Sequence, residues 1–247
     1  MAGDVINRGP RPVVCLDLLL EKQHTEGWLS VRGNHEDYVL DQAKPDAPRS
    51  GPRFDISRNA YWTYHKLDGR EESLKEMPFL VSIPGPAGTE VRVVHGSMRG
   101  NRDGIYPETT DEEIRFQIAP APTVLCVGHT HRPLIRQVEN TFVVNVGSVG
   151  SPFDGDARAC YAQLTWEEHS WRAKIIRLEY AREITVRDYI RTGFLDGAGA
   201  LAYLMLLEFQ QASAHIHHFF RQYEGSILAS EIKLKDAVEE YLRRISE

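Results

Sequence analysis

Four short segments of this sequence share one design, which constrains the fold more than any other feature. Each joins an apolar stretch to a glycine turn and to a side chain that can bind a metal ion. The segments are GD with Asp4, GNH with Asn34 and His35, VVHG with His95, and VGHTH with His129 and His131. Side chains at the carboxyl ends of neighbouring strands in an α/β sheet converge on one crevice. All the donors are oxygens or imidazoles, so the sequence predicts one metal site without thiolates.

The stretches between these turns predict alternating helices and strands. Residues 11–23 read as a helix with Pro12 in its first turn, and WLSV at 28–31 reads as a strand. The first 31 residues therefore suggest a βαβ unit. Residues 41–57 are rich in proline, glycine and charged side chains, which is typical of a surface loop. Three apolar stretches between residues 141 and 180 predict successive strands of a mostly antiparallel sheet.

The character of the chain changes after about Glu183. Apolar residues then recur in steps of three and four, which predicts one long amphipathic helix over the stripe Leu201, Met205, Phe209, Ala212, Ile216, Phe219 and Tyr223. A final helix carries Leu234, Val238, Leu242 and Ile245. We therefore divide the chain into a domain at 1–183 and a helical extension at 184–247. The apolar stripe is expected to dock on the core, with a homodimer through these helices as the alternative.

Charge and cysteine content exclude several classes of protein. The net charge of −6, with acids and bases interspersed, gives no basic patch for nucleic acid or for an anionic membrane. The three cysteines are scattered and form no C-x-x-C pair, which argues against a disulfide framework. The N-terminus has no signal-peptide pattern, and the apolar run at 201–207 is too short to span a bilayer. We expect a cytoplasmic protein without a membrane partner.

The ordered set GD…GNHE…VVHGS…GHTH resembles the calcineurin-like metallophosphoesterase superfamily. The segment VNVGSVGSPFDGDARACYAQL is similar to its bacterial phosphodiesterase-like branch, and the resemblance covers about residues 3–178. It implies an α/β (α+β) fold in which two mixed β-sheets pack face to face as a sandwich with helices outside, in four layers. The family normally opens with a D-x-H-G motif on its first strand. The sequence begins at the second motif, so we expect the 1–183 domain to lack that strand.

The resemblance assigns the metal ligands. Asp4 corresponds to the carboxylate that bridges two ions, and Asn34, His95 and His129 complete the shell of the second ion. His131 belongs to the first ion, whose other two ligands lie in the absent motif, so this chain is expected to hold fewer than the family's two metals. On an extended segment, His129 and His131 would point the same way. We expect Mn²⁺, with iron, zinc or nickel as alternatives.

The resemblance also assigns roles toward substrate. His35 protonates or stabilises the leaving oxygen, and Arg8 binds the phosphate through its planar guanidinium. Asn34 lines the phosphate site. Apart from the resemblance, we interpret Arg99 as a surface residue, with a contact to substrate from the loop after His95 as the alternative. Asn7 stands where the family has an aspartate that orients the histidine of GNH. We expect Asn7 to accept a hydrogen bond there without supplying charge, so that His35 is less readily protonated.

The implied activity is metal-dependent hydrolysis of a phosphate ester by in-line attack of metal-bound water. The substrate would be a phosphorylated small molecule, a nucleotide or a phosphoprotein, and both phosphatase and phosphodiesterase chemistry stay open. A second hypothesis is a degenerate metal-binding or scaffold member with weak or no activity. A third is a single-metal hydrolase that uses Asp4, Asn34, His95 and His129. We interpret Asn145 and Ser148 as turn formers, with a role at the rim of the site as the alternative.

Overall fold

The computed structural model describes residues 1–246, and a five-stranded mixed sheet lies at its centre. The strands are β1 (Leu80–Pro84), β2 (Glu90–Val94), β3 (Val124–Val127), β4 (Leu134–Val138) and β5 (Thr141–Asn145), in the order β1-β2-β3-β5-β4. Strand β3 pairs parallel with both β2 and β5, whereas β1 and β4 pair antiparallel at the two edges. All four residues of β3 are buried, because a central parallel strand is covered on both faces.

A second sheet consists of the antiparallel hairpin β6 (Ala159–Glu167) and β7 (Ser170–Leu178). Its inner face packs on the first sheet through a shared apolar cluster that includes Val124, Val144, Leu164 and Trp171. The predicted fold class, with two sheets face to face and helices around them, is confirmed. The predicted grouping of the last three strands is wrong, because β5 pairs parallel with β3 and belongs to the first sheet.

Five helices flank the sheets before residue 120. They are α1 (Pro12–Glu26), α2 (Asn34–Asp41), α3 (Gly51–Leu67), the single turn α4 (Glu72–Lys75) and α5 (Asp111–Ile118). The surface loop predicted at 41–57 is shorter than expected, because α3 already begins at Gly51 with Pro52 in its first turn. Residues 27–33 carry no regular secondary structure, so the strand predicted at 28–31 is wrong. Two hydrogen bonds join this segment to Met1, from the Met1 N-terminus to the Leu29 carbonyl and from the Val31 N–H to the Met1 carbonyl.

The C-terminal part is helical, as predicted, and forms an apolar core of its own. The helices are α6 (Arg182–Arg191), α7 (Phe194–Gly197), α8 (Leu201–Gln211), α9 (His215–Leu228) and α10 (Leu234–Ser246). The predicted single helix is divided in two, since Ala212 adopts a left-handed conformation (φ 52°) and ends α8. Ile56 and Trp62 of α3 pack against this core. Within residues 1–246, no helix combines the length and the apolar character needed to cross a membrane.

Candidate functional site

Four of the predicted metal ligands converge at the carboxyl ends of the central strands. His95 follows β2, His129 follows β3, and Asn34 is the first residue of α2. The Asn34 Oδ1 atom lies 2.9 Å from His95 Nε2 and 2.8 Å from His129 Nδ1, and these two nitrogens are 3.3 Å apart. The Asp4 Oδ2 atom lies 3.1 Å from His95 Nε2. Ligand atoms of Asp4, His95 and His129 all lie within 4.8 Å of one another. We call these four residues the donor cluster.

The hydrogen-bonding of His95 shows that the donor cluster suits a cation. Its Nδ1 lies 2.6 Å from the carbonyl oxygen of Ala2, which only accepts, so Nδ1 carries a hydrogen. In the neutral ring the Nε2 lone pair therefore faces the oxygens of Asp4 and Asn34. Such facing lone pairs repel unless a proton or a cation lies between them. One carboxylate, one amide oxygen and two imidazoles form a mixed N/O donor set that a divalent transition metal accepts.

The protonation of the two imidazoles is consistent with this arrangement. Burial opposes protonation of His95, but its hydrogen bond to Asp4 and the charge of Asp4 outweigh burial and raise its pKa. A proton on His95 therefore competes with a cation for the same lone pair. Burial, followed by the charge of His95, lowers the pKa of His129 to about 4. His129 is therefore neutral near pH 7, which is the form that binds a metal.

A buried carboxylate that the sequence analysis missed holds Asp4 in place. Glu36 is fully buried, and its two oxygens accept the N–H groups of Gly33 (2.7 Å), Asp4 (2.9 Å), Val5 (2.8 Å) and Ile6 (3.3 Å). Glu36 is the third residue of α2, a position where glutamate bonds back to the N-cap. That spacing is visible in GNHE and was the available signal. Glu36 thus ties the GD turn to the GNH turn.

Gly33 is required by the close approach of these two turns. A Cβ atom at this position would come within 2.1 Å of Asp4 Oδ1. The space is taken because Asp4 Oδ1 accepts the backbone N–H of His35 at 2.9 Å. Asp4 itself has a left-handed backbone (φ 54°), which the hydrogen bonds from both sides of the turn maintain.

The hydrogen bond between Asn7 and His35 has the opposite direction from the prediction. The Asn7 Oδ1 atom accepts from Asn59 Nδ2 (3.0 Å) and from Thr63 Oγ1 (3.2 Å), both on α3. The Asn7 amide nitrogen therefore faces His35 Nδ1, at 3.0 Å, and donates to it. The expectation that Asn7 accepts a hydrogen bond from His35 is wrong, because its oxygen is occupied. The sequence analysis did not predict that Asn59 and Thr63 contact Asn7.

This contact fixes the hydrogen of His35 on the other ring nitrogen. With Nδ1 accepting, a neutral His35 carries its hydrogen on Nε2, which lies 4.0 Å from Asp4 Oδ2. Burial lowers the pKa of His35 to about 3, although the charge of Asp4 opposes this and that of Arg8 reinforces it. The sequence analysis expected this reluctance from the missing charge at Asn7, whereas its first cause in the structure is burial. His35 is a neutral hydrogen-bond donor beside the donor cluster.

His131 lies outside the donor cluster. Its Nδ1 lies 2.5 Å from the Ser151 carbonyl oxygen and therefore donates to it, and its ring stacks on Phe153. Among residues 1–246, the acidic and histidine side chains whose ligand atoms lie close enough to hold one ion are Asp4, His95 and His129, and His131 is not among them. His129 (φ 61°) and His131 (φ 57°) sit in a left-handed turn, so the predicted extended segment is wrong. Burial lowers the pKa of His131 to about 4, and its role as a ligand of a first metal stays a prediction.

The two predicted substrate arginines have different surroundings. Arg8 lies 3.6 Å from the buried Glu208. After burial, its positive charge is among the causes that lower the pKa values of His35, His129 and His131. Arg99 pairs with both oxygens of Asp103 at 2.8 Å and with Glu113 at 2.7 Å. These carboxylates occupy its donors, and a substrate role for Arg99 stays a prediction.

Asn145 holds the turn that carries His129. It is completely buried, and its Nδ2 donates to the Gly128 carbonyl (2.8 Å) and to Thr130 Oγ1 (2.9 Å). Its Oδ1 accepts the Gly147 N–H at 3.0 Å. The sequence analysis proposed turn formation or a place at the rim, and the structure shows Asn145 linking two turns from inside the protein.

Replacement of Asn145 with alanine should lower the free energy of unfolding by about 2–4 kcal/mol, because its buried polar partners, which also include the Ile105 carbonyl, lose their hydrogen bonds. Chemical denaturation of the metal-free protein measures this. The matched control is Asn140→Ala, which removes an exposed asparagine from the β4–β5 turn and should stay within about 0.5 kcal/mol. Equal effects of the two variants would contradict the role given to Asn145.

Comparison with known proteins agrees with this fold. The model of the calcineurin-like phosphoesterase superfamily domain matches residues 1–169, which contain the whole donor cluster. An uncharacterized protein of Methanocaldococcus jannaschii is 26% identical over 200 residues, which cover 72% of this chain and 74% of that protein.

Two solved structures share the fold over most of their length. A metallophosphoesterase from Sphaerobacter thermophilus is 25% identical with a TM-score of 0.64, covering 85% of this chain and 87% of that chain. A hypothetical protein from Pyrococcus horikoshii has a TM-score of 0.68 at 20% identity, covering 85% and 84%. The domain match extends over more than half of the sequence and includes all four metal-capable segments. This chain belongs to the calcineurin-like phosphoesterase superfamily.

Proposed function

We propose that this protein hydrolyses phosphate esters with a divalent metal ion held by Asp4, Asn34, His95 and His129. The observation that carries the proposal is the convergence of four lone-pair donors at one edge of the central sheet, in a superfamily whose members are generally metal-dependent phosphoesterases. We favour Mn²⁺, with iron, zinc and nickel as alternatives that the same donors accept. A phosphorylated small molecule, a nucleotide and a phosphoprotein all contain a phosphate ester that such a site could bind.

The residues around the donor cluster have separate tasks. The bound metal would supply a Lewis acid for the phosphoryl group and lower the pKa of a water molecule. His35 directs its Nε2–H toward the cluster and donates to an oxygen of the phosphate or of the leaving group. Arg8 adds a positive charge that attracts the phosphate and stabilises charge that develops on it.

A second candidate function is metal binding with little or no turnover. It is favoured by two observations: Asn7 donates to His35 where the family motif has an aspartate, and His131 lies outside the donor cluster. Both candidates predict that a divalent ion stabilises the protein. They differ in whether the loaded protein hydrolyses an ester.

Hydrolysis of an aryl phosphate separates the two candidates. Protein stripped with a chelator and reloaded with Mn²⁺ should hydrolyse p-nitrophenyl phosphate or its diester, and the chelated protein should not. Replacement of His35 with alanine should lower turnover by about 10²-fold or more, because the leaving oxygen loses a donor. The same variant should keep the rise in melting temperature that Mn²⁺ causes.

The matched control is His217→Ala, which changes an exposed histidine on α9 and should leave both turnover and thermal shift unchanged. A thermal shift with Mn²⁺ but no hydrolysis of either ester would favour the second candidate. No thermal shift with Mn²⁺, iron, zinc or nickel would contradict both.

A further inference from the structure

The turn that carries Arg8 is held by the C-terminal helices. Asn7 (φ 76°) and Arg8 (φ 55°) both have left-handed backbones, which are unfavourable for residues other than glycine. The Tyr189 hydroxyl donates to the Arg8 carbonyl at 2.8 Å, and Arg11 pairs with both oxygens of Asp188, at 2.5 and 2.8 Å. Helix α6 therefore holds the chain at the Arg8 carbonyl and again three residues later at Arg11.

The side chain of Arg8 faces a buried carboxylate on the next long helix. Glu208 of α8 is 1% exposed, and its Oε2 lies 3.6 Å from Arg8 Nη1. Burial raises the pKa of Glu208 to about 6, and the charge of Arg8 opposes this rise. A buried carboxylate is costly without a compensating charge, and Arg8 supplies one.

Arg8 lies in a turn that contacts the site through the preceding residue. The Asn7 amide nitrogen lies 3.0 Å from His35 Nδ1, and His35 Nε2 lies 4.0 Å from Asp4 Oδ2 of the donor cluster. The Arg8 side chain keeps 29% of its surface exposed, whereas that of Glu208 keeps 2%. Arg8 thus contacts Glu208 from a turn beside the site, while part of its side-chain surface stays accessible to a ligand.

We propose that Glu208 is a positioning residue that holds Arg8 at the donor cluster, so that helix α8 contributes to phosphate binding. This inference rests on the proposed function, in which Arg8 contacts the phosphate. It assigns the C-terminal helices a part in the site that the superfamily motifs do not contain, because Glu208 lies beyond the matched residues 1–169. Glu208 itself does not touch the substrate.

A purely structural role for Glu208 is the competing explanation. Its Oε1 accepts the N–H of Ile216 at 2.8 Å, in the first turn of α9. Glutamine retains an oxygen for this bond and removes the negative charge that faces Arg8. Glu208→Gln therefore tests positioning, whereas Glu208→Ala would remove both interactions.

The test measures binding of inorganic phosphate to the Mn²⁺-loaded full chain by calorimetry. Glu208→Gln should weaken phosphate binding by about tenfold, the usual effect of losing a residue that orients a ligand-binding group. Its Mn²⁺ affinity should not change, since Glu208 contacts no member of the donor cluster. The exposed Glu224→Gln on α9 is the matched control and should bind phosphate like the wild type.

A double-mutant cycle with Arg8→Gln decides whether Glu208 acts through Arg8. In the Arg8→Gln background, phosphate binding is measured at millimolar phosphate concentrations. The additional Glu208→Gln change should not weaken it further. Unchanged phosphate binding in Glu208→Gln, or an equal loss in both backgrounds, would overturn the inference while leaving the proposed function intact. Failure of the Mn²⁺-loaded wild type to bind phosphate would instead contradict the proposed function.

Discussion

Replacement of Asp4 with asparagine should abolish metal-dependent hydrolysis, with a loss of about 10³-fold or more. Asparagine retains the Oδ1 atom that accepts the His35 N–H, so the turn should still form. Its amide nitrogen would replace the oxygen that lies 3.1 Å from His95 Nε2. The amide would then donate to that lone pair, and the cluster would lose both its negative charge and a ligand.

Three measurements on the Asp4→Asn variant check this result. Metal content after dialysis should fall well below that of the wild type, the melting temperature should no longer rise with Mn²⁺, and hydrolysis of the aryl phosphate should be lost. Asp55→Asn, at an exposed position on α3, is the matched control for loss of one carboxylate. An Asp4→Asn variant that retains metal and turnover would show that the donor cluster is not the active site.

The positions of the metal-capable residues were predictable from sequence because their local pattern fixes them. A strand that ends in a glycine turn places the next donor at the carboxyl edge of the sheet, and His95 and His129 follow β2 and β3 in this way. The left-handed turn at His129 and His131 was not predictable, since neither residue is a glycine. It removes His131 from the group around Asp4.

The residues that support the site were not predictable, because they act across long separations in sequence. Asn59 and Thr63 contact Asn7 from 52 and 56 residues away, and only these contacts show which way the Asn7 amide points. Glu208 meets Arg8 from another part of the chain altogether. Motif spacing carries no information about such contacts.

The errors in secondary structure have similarly tertiary causes. The segment at 28–31 has the apolar character of a strand, but its backbone bonds twice to the single residue Met1 and forms no ladder. The apolar stripe through Ala212 continues without a glycine or proline, yet the chain turns there and packs α9 against α8. Periodicity identifies a buried face and does not show where a helix ends.

Replacement of Glu36 with glutamine should lower the free energy of unfolding by about 2–5 kcal/mol, although no metal ligand changes. Each oxygen of Glu36 accepts two N–H groups: Oε1 those of Val5 and Ile6, and Oε2 those of Gly33 and Asp4. An amide can replace only one oxygen as an acceptor. Two buried N–H groups would therefore face another donor in the variant.

Urea denaturation of the metal-free protein measures this loss, with Glu72→Gln at an exposed position of α4 as the matched control. That control should stay within about 0.5 kcal/mol of the wild type. Because the affected N–H groups include that of Asp4, Glu36→Gln should also weaken Mn²⁺ binding, which a titration followed by melting temperature detects. A loss of stability below about 1 kcal/mol would mean that the backbone of the GD turn is held by other partners. Glu36 would then not be the residue that couples the two metal-binding turns.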